Sequence, residues 1–307
     1  MNFRELGKTG VKISEVGIGL WEYHSGPELL RKAIDMGATF IDTAELFEDP
    51  VPGQVEAEQV VGQAIKGVRD KVFVANKTNH WRRADVFKSC ETSLKNLGID
   101  CIDLYSVHWP NAKTPMEETI GAMEELAEQG KVRFLGVSNF SIGEMKRAQA
   151  ALRKHQIVST QLRYNLIDRT IETRLLPYCR EMGVTVIGFS PLGHSFQRIL
   201  ERDPEDALGK VARETGKSKA QVALKWCLRQ PGLVTIPKTN SETHMAENCS
   251  VSEWQLTPEQ ISLLDKKVLF RRRSAVEAAV RRSARGFFQV LNLDFNTRNL
   301  KVRVVRR

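Results

Sequence analysis

Apolar residues along the chain fall into two patterns that alternate. Short, nearly unbroken apolar runs of strand length occur at 15–20 (EVGIGL), 40–44 (FIDTA), 72–77 (VFVANK), 102–108 (IDLYSVH), 132–139 (VRFLGVSN), 158–165 (VSTQLRYN), 184–190 (VTVIGFS) and 233–237 (LVTIP). Between them lie segments read as helices: 27–37, 57–67, 84–98, 116–130, 142–155, 172–183, 220–230 and 242–249, with another at 258–267. Gly37 and Gly98 stand where a left-handed residue ends a helix. Residues 3–14 read as a small hairpin turning on Gly7-Lys8-Thr9-Gly10, and the stretch after Ser190 reads as irregular.

Eight strands alternating with eight helices imply right-handed crossovers and a parallel sheet. Several strands are apolar on both faces, as a sheet covered on both sides requires. A closed (β/α)8 TIM barrel over residues 1–269, with its N-terminal hairpin, is the predicted α/β fold. A doubly wound sheet is the alternative, but Gly17-Ile18-Gly19 runs into Leu20, Trp21 and Glu22 with no third glycine, so the dinucleotide fingerprint is absent. Strands two, three and four deliver Asp42, Lys77 and His108 at their C-terminal ends. Buried ionisable groups are costly unless they meet one another, so three at one end of a barrel point to a site there.

Charge and cysteine content narrow the reading. The net charge of +9 resides in residues 270–307, which hold eleven basic and two acidic side chains, while 1–269 holds 35 of each sign. The body is therefore not read as a nucleic-acid binder; only the Arg-rich C-terminal extension keeps that possibility. In that extension Val276, Val280, Ala284, Phe287 and Leu291 recur at helical spacing, and a hairpin is expected around Asn296-Thr297-Arg298-Asn299. Cys90, Cys101, Cys179, Cys227 and Cys249 show no metal-ligand spacing, so no metal is expected. No run is long enough for a membrane span and no apolar leader opens the sequence, so a cytoplasmic protein is expected.

Several segments together resemble the aldo-keto reductase family over about residues 3–268: LGKTGVKISEVGIGLW, GATFIDTAELF, YSVHWP, GKVRFLGVSNF, Gln161 and Asn165, FSPLG, and IPKTNSETHMAEN. The resemblance implies reversible hydride transfer between NADP(H) and a small-molecule carbonyl, with NAD(H) as a second cofactor. Family catalysis uses Asp, Tyr, Lys and His, and the match places Asp42, Lys77 and His108 on three of them. The tyrosine position is Phe47. Three consequences follow as alternatives: a slow reductase, a reductase with another acid, or an NADP-binding regulatory protein that has lost catalysis. Substitute acids are His108, Tyr23 or a water polarised by Lys77.

The same resemblance assigns Ser138, Asn139 and Gln161 to the nicotinamide carboxamide and Phe189 to stacking on the ring. It gives Ser190, Leu192 and Gly193 to the pyrophosphate side. Lys238, Thr239 and His244 go to the adenosine 2′-phosphate, and Glu247 and Asn248 to the adenine. Leu20, Trp21 and Asp42 complete the cofactor set. His244 stands where many members carry Arg. Trp21, Tyr23, Phe47, Trp81, His108 and Trp109 are the expected pocket walls, each of which could equally be packing.

Overall fold

The computed structural model of the chain describes residues 1–45, 57–271, 293–295 and 302–304. After a hairpin of β1 (Phe3–Glu5) and β2 (Lys12–Ser14) come β3 (Ile18–Gly19), α1 (Pro27–Asp35), β4 (Phe40–Asp42), α2 (Ala57–Ile65), β5 (Phe73–Thr78) and α3 (Arg83–Leu97). Then follow β6 (Ile102–Val107), α4 (Met116–Glu128), β7 (Val132–Ser138), α5 (Ile142–Ala151), β8 (Ile157–Arg163), α6 (Leu175–Met182) and β9 (Thr185–Phe189). The last turn of the barrel is α7 (Gln197–Leu200), α8 (Ala207–Thr215), α9 (Lys219–Leu228), β10 (Leu233–Thr235), α10 (Glu242–Cys249) and α11 (Pro258–Lys267).

Strands β3 to β10 pair in chain order, all parallel. The ring closes where the Gly17 N–H donates to the Thr235 carbonyl at 2.8 Å and the Thr235 N–H to that of Glu15 at 2.9 Å. The expected (β/α)8 barrel is therefore present, and the β1–β2 hairpin, paired from Phe3–Ser14 to Glu5–Lys12, covers one end of it.

Because successive strand residues face opposite sides, two apolar compartments form. Outward residues such as Ile41, Val74, Tyr105 and Leu135 pack with the helices. Inward residues Phe40, Phe73, Leu104, Ile187 and Val234 fill the lumen, where Leu6 and Ile13 of the hairpin join them. Gly136 is required by that tight packing: a Cβ there would meet Ser106 Oγ at 2.5 Å and Ser159 Oγ at 2.7 Å.

Three elements differ from the sequence expectation. Helix α5 stops at Ala151, four residues before His155, because Leu152 turns extended. The Arg153, Lys154 and His155 N–H groups then donate to the Glu124 carboxylate of α4 at 3.0, 2.8 and 3.0 Å. Burial alone would raise that carboxyl, but the N–H donors outweigh it and hold it down at about 2. Helix α6 begins at Leu175, the residues before it forming a 3₁₀ turn. The stretch read as irregular contains α7 and α8. Asp203 accepts from the Ala207 and Leu208 N–H groups at 2.8 Å each, satisfying donors that open α8, and left-handed Gly216 ends it.

At the C-terminal side, Arg271 bridges to Asp168 in the loop after β8. The expected terminal hairpin is seen as β11 (Leu293–Phe295) and β12 (Val302–Val304), antiparallel with Leu293 opposite Val304. The helix expected over 276–291 and the hairpin turn lie outside the described residues, as does Phe47. Among the described residues no helix is long and apolar enough to cross a membrane.

Candidate active site

The inward positions that are apolar low in the barrel become polar at the C-terminal ends of the same strands. Two residues beyond Phe40 comes Asp42, and four beyond Phe73 comes Lys77; both are nearly fully buried. The Lys77 ammonium donates to Asp42 Oδ2 at 2.7 Å and to the Thr43 carbonyl at 2.6 Å. Gln161 Nε2, on β8, donates to Asp42 Oδ1 at 2.7 Å, so both carboxylate oxygens are engaged. Burial pushes the Lys77 ammonium below its ordinary range, opposed by the Asp42 charge. Burial likewise pushes the Asp42 carboxyl up, opposed by Lys77 and Gln161. Each partner makes the burial of the other tolerable.

This pair forms part of the floor of a cavity of about 360 Å³ at the C-terminal face. His108 lines it just beyond β6, its N–H donating to the Thr78 carbonyl at 2.9 Å and its own carbonyl accepting from Asn139 Nδ2 at 3.1 Å. Its ring lies nearly parallel to that of Trp109, with centroids 6.2 Å apart. The sequence-assigned residues Trp21, Asp42, Lys77, His108, Trp109, Asn139, Gln161, Phe189, Ser190, Leu192 and Lys238 all line this one cavity.

Other assigned residues stand behind it or apart. Ser138 is buried beneath Asn139, accepting from its amide at 2.9 Å and donating to the Gln161 carbonyl at 3.3 Å. Leu20 is in the core. Gly193 turns the loop with φ +76°, its N–H donating to the Ser190 carbonyl. Thr239 is buried and accepts from the Ser241 N–H. His244 is exposed in the first turn of α10, which Ser241 caps; Glu247 accepts from the Ser218 hydroxyl and Asn248 is buried.

Tyr23 is corrected as a pocket wall and as a substitute acid. It is 3% exposed, its hydroxyl donates to the Gly26 carbonyl at 3.1 Å, and burial raises its phenol to about 12. Trp81 packs against the core and donates to the Trp109 carbonyl instead of lining the cavity. None of the chain's four tyrosines borders the cavity: Tyr105 pairs with Ser89, Tyr164 with Glu172 and Arg229, and Tyr178 lies on α6.

Sequence reading missed Gly19, Glu22, Arg163, Pro191, His194, Phe196, Ile236 and Pro237 as lining residues. Arg163 was within reach: it lies two residues past Gln161 on β8, hence on the same face. The loops carry a second signal. Among the described residues five non-glycine residues have positive φ, and four of them, Glu22, Asn139, Ser190 and His194, line this cavity. Such backbone costs of order 1–3 kcal/mol per residue, less for Asn, and clusters where geometry serves a site. His194 and Trp21, both in the lining, meet edge to face with centroids 5.5 Å apart.

Comparison with known proteins finds relatives over most of the chain. Residues 15–269 match the Aldo/keto reductase family. The chain is 34% identical over 265 residues to methylglyoxal reductase YeaE of Escherichia coli strain K12, covering 83% of this chain and 91% of that protein. It is 34% identical over 281 residues to aldo-keto reductase YhdN of Bacillus subtilis strain 168, covering 76% and 82%. The crystal structure of an aldo-keto reductase from Klebsiella pneumoniae in complex with NADPH superposes with TM-score 0.80 at 32% identity, covering 89% of this chain and 98% of that one.

Proposed function

The chain belongs to the aldo/keto reductase family, and from that premise we propose that it reduces aldehydes or ketones with NADP(H), without the usual phenol acid. The observation that carries this reading is the buried Lys77–Asp42 pair at 2.7 Å, joined by Gln161 and flanked by His108 on the cavity floor. The residues fit a nicotinamide cofactor. Asn139 and Gln161 offer amide groups, Phe189 a ring face and Lys238 a cation, all in the lining of one cavity. A bound NADPH would supply the hydride.

The chain's residues would do the rest. His108 and Lys77 would hold the carbonyl oxygen, whose negative charge grows as hydride arrives, and the ammonium favours that charge. In this proposal Phe47 stands where the family carries its tyrosine, five residues after Asp42. With Tyr23 turned into the core, the proton comes from His108 or from a water polarised by Lys77. Losing a positioned general acid costs about 10²–10⁴-fold in rate, so slow turnover is expected. Trp21 and Trp109 give the cavity aromatic walls that suit the apolar part of a small carbonyl.

The test pairs a fluorescence titration with NADPH and a rate assay of NADPH oxidation across a carbonyl panel that includes methylglyoxal, the substrate in the name of the Escherichia coli relative. Binding with slow turnover supports a reductase. Binding with no turnover on any carbonyl supports the second reading, an NADP-binding regulatory protein, which the missing phenol favours. Absence of binding removes both.

A further inference from the structure

Strands β8 and β9 stay joined beyond their last registered pair, Arg163 with Phe189. The Tyr164 N–H donates to the Phe189 carbonyl at 3.3 Å, and the next rung is made by a side chain. Asn165 Nδ2 donates to the Ser190 carbonyl at 2.9 Å. Asn165 Oδ1 accepts from the Ile167 N–H at 3.1 Å and the Asp168 N–H at 2.8 Å. Turned the other way, the amide would set its NH2 against two donors and its oxygen against a carbonyl, so these partners fix its orientation. Asn165 is buried and stands outside the cavity lining.

The side chain joins an anchored turn to a strained lining residue. In the turn, the Asp168 N–H donates to the Asn165 carbonyl at 3.2 Å and the Asn165 N–H to that of Asp168 at 3.3 Å. Leu166 is fully buried there, and the Arg271 N–H donates to the Ile167 carbonyl at 3.0 Å from the C-terminal side. Across the bond, Ser190 lines the cavity next to Phe189 with φ +49°, backbone that few residues besides glycine adopt. Within the loop, the Gly193 N–H donates to the same Ser190 carbonyl at 2.9 Å. Asn165 ties that turn of the loop to the barrel.

We infer that Asn165 is a positioning residue for the nicotinamide half of the cofactor, holding Ser190, and with it the Phe189 ring, in the pose that receives the nicotinamide. The inference rests on the proposed binding of NADP(H) with its nicotinamide on Phe189. Asn165 acts through the Ser190 carbonyl and touches no cofactor itself. A loop already held in its bound shape needs no ordering when the ligand arrives. Freed of this bond, Ser190 relaxes toward ordinary backbone regions, and each binding event must order the loop again. The adenosine half, proposed to meet Lys238 on the loop after β10, does not depend on the bond. Its loss should therefore weaken NADPH about tenfold, or about 1.4 kcal/mol, the size of one hydrogen bond to a buried group.

Asn165→Asp isolates that bond at about pH 8, where the carboxyl is ionised. One carboxylate oxygen still accepts from the Ile167 and Asp168 N–H groups, while the other has no proton to give the Ser190 carbonyl. Calorimetric titration of the full-length chain compares NADPH with adenosine 2′,5′-bisphosphate, which has the 2′-phosphate and no nicotinamide. Asn165→Asp should lose about tenfold in NADPH affinity while the bisphosphate stays within about twofold of the parent. An undiminished NADPH affinity overturns the inference. So does an equal loss on both ligands, which is what a general structural role would produce. A parent that binds neither ligand, or NADPH alone, contradicts the cofactor reading itself, and the inference falls with it. Should Asn165→Asp not fold, Asn165→Ser decides by the same comparison, since its hydroxyl can cap the turn but is too short to reach Ser190.

Discussion

The two ends of the barrel are built on the same strands and the same inward-facing positions, yet they obey opposite rules. At the N-terminal end Phe40, Phe73, Leu104, Ile187 and Val234 meet Leu6 and Ile13 of the hairpin in a dry apolar plug. Arg4 secures that end by donating to the carbonyls of Gln230, Leu233 and Leu228. One pleat or two farther along, the inward positions become Asp42, Lys77, Gln161 and Arg163, around an open cavity. Burial at the first end stabilises outright. At the second it desolvates charge, and the ion pair at best compensates. Barrel stability and barrel chemistry are thus separated by only a few residues along each strand.

Lys77→Met should break this contrast most sharply. It strands the Asp42 carboxylate, buried and without its cation, which costs about 3–5 kcal/mol of stability, and any carbonyl reduction should fall by about 10²–10⁴-fold. Adding Asp42→Leu should recover the stability, to parent level or above, while leaving the rate lost. Denaturant midpoints alongside NADPH oxidation measure both. A double variant as unstable as the single one would mean that the pair contributes to folding as the apolar plug does.

Leu104→Ala probes the other end. A lumen leucine with no solvent contact should cost about 2–5 kcal/mol, with NADPH affinity per folded molecule unchanged. An affinity that collapsed with this substitution would show that the two ends are coupled.

Glu124→Gln sharpens the comparison from outside the barrel. The folded carboxyl is held at about 2 against about 4.3 for the unfolded chain. Its stabilisation is therefore complete above about pH 4.3 and is lost as pH falls toward 2. The variant should be about 1–3 kcal/mol less stable near neutrality, and acid titration of both proteins should bring their stabilities together. A constant difference down to pH 2 would remove the N–H donors as the cause.

The smallest effect is expected at Lys238→Ala. It should narrow the preference for NADPH over NADH several-fold and leave the floor untouched. An unchanged preference would remove Lys238 from the 2′-phosphate.

How much of this could be read from sequence depended on whether one local pattern sufficed. The eight strands were legible because each is a short apolar run between helix and turn signals. Asp42, Lys77 and His108 were legible because each ends such a run. Helix α8 was not, since Pro204 and alternating charges hid its apolar face, and its start depends on Asp203 reaching forward to two N–H groups. The early end of α5 was set by Glu124 on a neighbouring helix, which no local pattern records. Tyr23 has the sequence position of a wall residue; only its bond to the Gly26 carbonyl reveals that the ring turns inward. Arg163 went unassigned although strand periodicity puts it on the face of Gln161, and its place over Phe189 depends on the β8–β9 register.

The proposal that the floor is a reductase floor lacking its phenol is tested most directly by Phe47→Tyr, assayed for carbonyl reduction with NADPH binding measured on the same samples. On the proposed assignment of position 47, the rate should rise by up to about 10²–10⁴-fold at nearly constant NADPH affinity, and Lys77→Met in that background should abolish the gain. A rate that does not rise while NADPH remains bound would contradict the assignment of position 47 and of the Asp42–Lys77 pair to proton delivery.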